Sequence, residues 1–435
     1  MSAKLTAYGG AGSATGANFL LEFGGKKILI DCGMLQGPID AARANGKKFP
    51  YDASSIDILF ATHAHIDHIG LIPKLYREDF RGEIYSTPAT KNIAELLLAD
   101  AAKINADVAE PIYGAGDVLG CLSLWKTLEY HKEFEFAGIK VEFLNAGHIL
   151  GSAMVQFSFP SGGKMLFTGD LGNSPSPLLP DTERVSGLGY LLIESVYGDR
   201  NHESKEERDR KFERVVREAI GRGGALLIPA FSLERTQIML MKLKGLFDGK
   251  KIPSVPVYLD SPLAIRITEI YERVKEGNDF NFQELHETAK VADSREIAEV
   301  KGPKIIIAGS GMSTAGRIVG HEEMYLPDPR STILLVGYQA QGTLGREIEE
   351  GIKKVTIDKK QVTIRAKVEK ISGFSSHADS DALVNFVSAS AKTLKKVFVA
   401  MGEPKSQIFL TQRLRDELEV DATATEKGKS YTLDL

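Results

Sequence analysis

The chain has 435 residues, with 54 Lys and Arg against 58 Asp and Glu, a formal net charge of −4. Its 43% hydrophobic and 26% charged residues are ordinary globular values, which excludes a disordered or fibrous protein. No apolar run approaches the ~18 residues of a membrane span, and Cys32 and Cys121 are too few for a disulfide scaffold.

MSAKLTAYGG at the start lacks the apolar core of a signal peptide. The expectation is a soluble, cytoplasmic protein without membrane contact. The slightly acidic balance also argues against a uniformly basic nucleic-acid coat, so a polyanion would have to bind in a local groove. At roughly 100–200 residues per domain, the length predicts two or three domains.

The first 195 residues read mostly as strands: LLEF (20–23), KILID (27–31), IDILFAT (56–62), KVEFLNA (140–146), VQFSF (155–159), MLFTGD (165–170) and YLLIE (190–194). Each is a short apolar or alternating run bounded by turn residues. Between them, Ile93, Leu96, Leu97, Ala101 and Ile104 predict one amphipathic helix after Thr87-Pro88. Gly10-Ala11-Gly12-Ser13-Ala14-Thr15-Gly16 has glycines misplaced for a dinucleotide fingerprint and precedes a strand, so it predicts a tight hairpin.

From about residue 200 the rhythm changes. A charged helix (202–220), the strand ALLIPA (225–230) and a helix over 233–247 are followed by strands VPVYLD (255–260), KIIIAG (304–309) and TILLVG (332–337). Strand–helix alternation predicts βαβ units and a parallel sheet. A helix (380–390), the strand KVFVAM (396–401) and a helix (404–417) close the chain. Two α/β modules result, the second inserted into the first.

His63-Ala64-His65-Ile66-Asp67-His68 follows the strand IDILFAT. Residues two apart in extended chain point the same way, so His63 and His65 can grip one metal. A turn at Ile66 would present Asp67 and His68 to a second. Asp31, His148, Asp170 and Glu194 lie at the C-terminal ends of other apolar strands. Lone charges at buried strand ends cost several kcal/mol unless paired or coordinated. Imidazoles and carboxylates without thiols suit Zn²⁺, with Mn²⁺ or Fe²⁺ as substitutes. Two such ions roughly 3.5–4 Å apart would serve metal-assisted hydrolysis.

These motifs resemble those of the metallo-β-lactamase-fold β-CASP nucleases, the group of RNase J and the cleavage and polyadenylation endonuclease. THAHIDHIG (62–70), LIDCGM (29–34), NAGHILGS (145–152) and FTGDLG (167–172) are similar to the superfamily motifs. IESVYGDR (193–200), SGFSSHAD (372–379), GSGMSTAGR (309–317) and GYQAQGTLGR (337–346) are similar to β-CASP segments. The resemblance implies an α/β fold, an αββα sandwich from residues 1–198 and 370–435 with a parallel-sheet β-CASP domain inserted at 199–369. It implies that His63, His65 and His148 hold one zinc, that Asp67 and His68 hold another, and that Asp170 bridges them. Asp31 would orient the ligands, and His377, fixed by Glu194, would be the general acid. The implied reaction is hydrolysis of single-stranded RNA by a metal-bound hydroxide.

There is one departure. RNA-cleaving members carry a further histidine for the second zinc, and Met401 in VFVAMGEP (397–404) stands in its place. A thioether is a poor zinc ligand. The expected consequences are a weaker second metal, a DNA substrate in place of RNA, or a nucleic-acid-binding subunit of low activity; retained ribonuclease activity is the primary reading. Ser310 and Gly311, and Ser375 and Ser376 before His377, are candidate phosphate contacts. KKVTIDKKQVTIRAKVEK (353–370) carries a local charge of +5, read equally as a lysine-rich sheet edge or a nucleic-acid wall. His131, His202, His286 and His321 are read as surface or structural. A homodimer is compatible with this kind of fold.

Overall fold

Period-two alternation sorts the side chains of each strand onto two faces, and in this protein both faces are covered. The computed structural model describes residues 2–37, 40–106, 110–274 and 280–435. The chain divides into two units, Met1–Asn201 with His377–Leu435, and His202–Ser376.

The first unit holds two seven-stranded sheets. One runs in the order Ser430–Asp434, Ser2–Gly9, Asn18–Phe23, Lys26–Ile30, Ile58–Phe60, Glu83–Ser86, Trp125–Thr127. The other runs Ala422–Ala424, Lys396–Val399, Tyr190–Ile193, Lys164–Phe167, Ala153–Ser158, Ile139–Asn145, Phe134–Phe136. Each is part antiparallel and part parallel; parallel-paired strands lead into Asp31, His63, Asp170 and Glu194, while His148 lies in the connection between two antiparallel strands. Ser2 pairs with Asp434, so both chain ends belong to this unit.

Phe19, Ile28, Ile30 and Phe60 of the first sheet meet Val141, Phe143, Val155, Phe157 and Phe167 of the second. The Phe60 ring stands nearly perpendicular to those of Phe143 and Phe157, with centroids 6.1 and 5.6 Å away, the edge-to-face arrangement aromatic quadrupoles favour. On the second sheet's outer face, Leu166, Leu191, Ile193 and Val397 pack with Leu383 and Val387 of helix Ser380–Ser388 and Leu410 and Leu414 of helix Pro404–Leu418. The first sheet turns Leu29, Leu59 and Ile84 outward, all buried. On that side helix Pro88–Ala106 is tied to the edge strand by Lys91 Nζ donating to Trp125 O at 2.7 Å. This unit is an αββα sandwich.

The second unit is a six-stranded sheet, all parallel, in the order Leu285–Glu287, Val257–Asp260, Lys304–Ala308, Ala225–Pro229, Thr332–Leu335, Lys367–Lys370. Its entry helix, Lys205–Arg222, starts where Ser204 accepts from Glu207 N and ends at Gly223 with φ 76°. The first-turn acids Glu206 and Glu207 oppose the positive end of the helix dipole. Lys367 and Lys370 lie on the sheet's edge strand and pair with Glu218 and Glu349, and Lys360 of the adjoining hairpin pairs with Glu323. That pairing favours the lysine-rich-edge reading of the basic segment. His321, read as structural, is buried with Nε2 2.7 Å from Asp260.

Two expectations are corrected. The 10–17 loop joining the paired strands Ser2–Gly9 and Asn18–Phe23 is longer than a tight hairpin turn. The buried stripe of helix Pro88–Ala106 runs through Ile93, Ala94, Leu98 and Ala102, while Ile104 is 60% exposed. The sheet lies about one position off the stripe that the apolar residues alone suggested. No helix among the described residues is long and apolar enough to cross a membrane. Leu98→Ala should therefore cost about 2–5 kcal/mol in urea unfolding, whereas Ile104→Ala should stay within about 0.5 kcal/mol of wild type.

Candidate metal centre

Each polar residue singled out at a strand end sits in a short loop held by backbone contacts. Asp31 follows strand Lys26–Ile30 in the left-handed region, φ 59°, which Asp tolerates better than most L-residues. Its carboxylate accepts from Thr62 N and Thr62 Oγ1, both at 2.8 Å. His65 remains extended as the N-cap of the short helix Ile66–Ile69, so the chain turns where Ile66 was expected to turn it. That switch separates His63 and His65 from Asp67 and His68.

Two glycines set how closely these loops approach. A Cβ on Gly33 would stand 1.6 Å from Asp67 O, and one on Gly172 would stand 2.0 Å from Gly147 O. His148 is held by its own N–H and that of Ile149 donating to Ser152 Oγ at 3.0 and 3.2 Å. Leu171 N donates to Glu194 Oε1 at 2.6 Å, and Ala378 N to Leu171 O at 2.8 Å. The latter bond brings His377 beside Glu194.

The hydrogen bonds assign the tautomers. Thr62 Oγ1 donates to Asp31 and accepts from His63 Nδ1 at 3.0 Å; His68 Nδ1 donates to Asp31 Oδ2 at 2.7 Å. Both rings therefore turn Nε2 inward. His63 Nε2 and His148 Nε2 lie 3.1 and 3.2 Å from His65 Nδ1. Asp170 Oδ2 is 3.4, 3.3 and 3.6 Å from Nε2 of His63, His68 and His148.

Among the described residues, the buried His68 Nε2 and Asp170 Oδ1 have no hydrogen-bond partner. Donors about 2.0–2.1 Å from one centre at tetrahedral angles stand about 3.3–3.4 Å apart. The separations of 3.1 to 3.6 Å among His63, His65, His148 and Asp170 fit that figure. Lone pairs so placed repel one another unless a cation lies among them. Asp67 and His68 form a looser neighbouring pair, 4.0 Å apart.

The electrostatics agree. Burial lowers the pKa of His63, His65 and His148, reinforced respectively by His68, His63 and His377, and leaves them neutral with lone pairs available. Burial would raise the Asp170 carboxyl, but the charges of His68 and His377 hold it well below the usual carboxylate range. Burial likewise disfavours a charged His68, yet Asp170 and Asp31 raise it well above an ordinary imidazole. Positive charge is favoured beside Asp170. His377 Nδ1 lies 3.2 and 3.3 Å from the Glu194 oxygens. The Glu194 and Asp170 carboxylates outweigh burial and raise His377, while burial raises Glu194 itself.

Nine of the singled-out residues thus converge in the first unit: Asp31, His63, His65, Asp67, His68, His148, Asp170, Glu194 and His377. Ser310, Gly311, Ser375 and Ser376 belong to the second unit. Ser310 is partly exposed, while Gly311 and Ser375 are buried. Met401 lies beyond strand Lys396–Val399 with φ 45° and is 1% exposed within the core between the sheets. A Cβ on Gly10 would meet its sulfur at 2.4 Å.

Residues 15–220 match the metallo-beta-lactamase superfamily, 236–348 the Beta-Casp domain, and 361–424 the Zn-dependent metallo-hydrolase RNA specificity domain. The chain is 36% identical over 424 residues to ribonuclease TTHA0252 of Thermus thermophilus, covering 94% of this chain and 96% of that protein. The chain belongs to the β-CASP family of the metallo-β-lactamase superfamily. It is also 32% identical to transcription termination factor FttA of Methanosarcina mazei, over 97% of this β-CASP chain and 70% of that protein. Cleavage and polyadenylation specificity factor 73 of Drosophila melanogaster is 30% identical over 96% of this chain and 62% of its own length. A crystal structure of a protein of unknown function from Enterococcus faecalis shares the fold, with TM-score 0.56, 13% identity and full coverage of both chains.

Sequence reading missed Thr62 and Ser152 in this β-CASP site. Both are ordinary small polar residues whose importance lies in what they touch: Thr62 links Asp31 to His63, and Ser152 accepts from the His148 peptide. If this cluster holds a divalent metal, Thr62→Val should weaken its binding about 10–100-fold, the usual effect of losing a ligand's outer hydrogen bond. Competition against a metal chelator, with unfolding followed in parallel, would check it.

Proposed function

We infer that this β-CASP chain is a metal-dependent ribonuclease that hydrolyses single-stranded RNA. The observation that carries the reading is the convergence of His63, His65, His148 and Asp170 on one point, with donor spacings suited to a metal. The named relatives, a ribonuclease, a transcription termination factor and a cleavage and polyadenylation factor, support RNA as substrate. So does the match to an RNA specificity domain. We assign residues 1–198 and 370–435 to the metallo-β-lactamase domain and 199–369 to the β-CASP domain.

The thiol-free donor set suits zinc, with manganese a substitute. His63, His65 and His148 would hold one ion, Asp67 and His68 a second, and Asp170 would serve both. Divalent metal there supplies acidified water and stabilisation of charge developing on the phosphate. Asp31 and Thr62 would keep His63 and His68 in the tautomers that offer Nε2 inward. His377 would donate a proton to the departing oxygen, and Glu194 would hold the ring by Nδ1 and keep it basic enough to be protonated.

DNA as substrate, raised by Met401, is not favoured. The thioether packs in the apolar core, and the relatives' names point to RNA. Matched labelled RNA and DNA strands, incubated with Zn²⁺ or Mn²⁺ beside a His63→Ala control, test the reading. RNA alone should be cut. His65→Ala and Asp67→Ala should each abolish cutting, and unchanged cleavage in either would refute the site. His377→Ala should lower kcat about 10²–10⁴-fold, the usual worth of general acid catalysis, at unchanged RNA affinity; an equal fall in affinity would remove its role as proton donor.

A further inference from the structure

His377 and Glu194 lie 183 positions apart in the chain, and a serine joins the two segments that carry them. Ser380 opens helix Ser380–Ser388, just beyond His377, and is 2% exposed. Its hydroxyl donates to Gly198 O at 2.7 Å, and its N–H donates to Arg200 O at 3.1 Å. Both acceptors belong to the turn that leaves Glu194. Helix Pro404–Leu418 grips the same turn, with Ser406 Oγ donating to Ser195 O at 2.5 Å. A Cβ on Gly198 would stand 2.8 Å from Ser406 O and 3.0 Å from Leu410 Cβ, so the turn cannot shift toward that helix.

The Ser380 hydroxyl also accepts from Arg413 Nη1 at 2.7 Å. Arg413 is itself fixed by carboxylates: Asp381 Oδ1 lies 2.8 Å from Nη1, and the Glu417 oxygens lie 2.6 and 3.1 Å from Nε and Nη2. Charge-assisted bonds to a planar guanidinium fix direction as well as distance. Asp381 is joined to the end of the turn as well, accepting from Asn201 Nδ2 at 2.7 Å.

Serine at a helix start commonly caps the first-turn amides. Here Asp379 does so, accepting from Ala382 N at 3.0 Å, which leaves the Ser380 hydroxyl to reach across the chain. On the other side of the pair, Leu171 donates to Glu194 and accepts from Ala378. His377 and Glu194 are thus closed into two short circuits of hydrogen bonds, one through Leu171 and one through Ser380. Resting on the reading of His377 as proton donor, we propose that Ser380, braced by Arg413, is a positioning residue. It sets the His377 ring against Glu194 and so aims its proton at the departing oxygen.

The test gives the Zn²⁺-loaded protein two labelled oligoribonucleotides of one sequence. One has the ordinary linkage at the cut position; in the other, sulfur replaces whichever bridging oxygen the products show to depart. A thiolate leaves without a proton, so only the oxygen linkage needs the donor. Ser380→Ala should lower kcat on the oxygen linkage about tenfold, less than a full ångström of misplacement costs, with KM and bound zinc unchanged. On the sulfur linkage its kcat should stay within about twofold of wild type. Arg413→Met, which leaves the buried serine in place, should show a smaller fall of the same selectivity and add nothing to Ser380→Ala. Equal falls on both linkages, or no fall on the oxygen linkage, would overturn the positioning role. His377→Ala, run in parallel, separates the two readings: equal falls on both linkages there would bring down His377 as proton donor itself.

Discussion

A buried carboxylate surrounded by four imidazoles governs this protein. Asp170 has its Oδ2 within 3.8 Å of His63, His68, His148 and His377, and its other oxygen is buried with no hydrogen-bond partner among the described residues. Such a charge is tolerated only when something positive stands beside it. Asp170 and Asp31 favour positive charge at His68, while His63, His65 and His148 are held neutral and direct lone pairs inward. The loops converge on a point that the side chains cannot by themselves neutralise.

The rest of the first unit keeps this unfavourable cluster assembled. Two seven-stranded sheets share an aromatic core, so the strands that end at the site have little freedom to shift. Close approach of the connecting loops then requires positions without a Cβ, Gly33 against Asp67 and Gly172 against Gly147. Asp31 turns the chain through the left-handed region and, with Thr62, orients two histidines at once. Local strain and buried charge gather where the chemistry is, and the apolar sandwich supplies the stability they cost.

Met401 illustrates how backbone and side chain can separate at such a site. Its carbonyl accepts from Ser195 N at 3.0 Å and its N–H donates to Gly10 O at 2.6 Å, tying three loops together. Its side chain fills core volume above Gly10. A residue type that is poor for metal binding is thus well suited to packing, which explains a methionine there without any change of substrate.

Much of this was legible in one dimension. His63, His65, Asp67 and His68 announce themselves because a strand followed by a turn forces such spacing to present two pairs of donors. Asp31, His148, Asp170 and Glu194 stand out because charge at the end of an apolar run is costly without a partner. The inward stripe of helix Pro88–Ala106 was not legible, since Ile104 and Leu98 are equally apolar and only the position of the sheet decides which is covered. Nor were Thr62 and Ser152, whose side chains matter through contacts rather than through type. Sequence determined which chemistry the chain could carry, because donor identity and local spacing are properties of the strand. Tertiary structure alone decided which donors share a point and which tautomers they adopt, because these depend on distances between residues far apart in the chain.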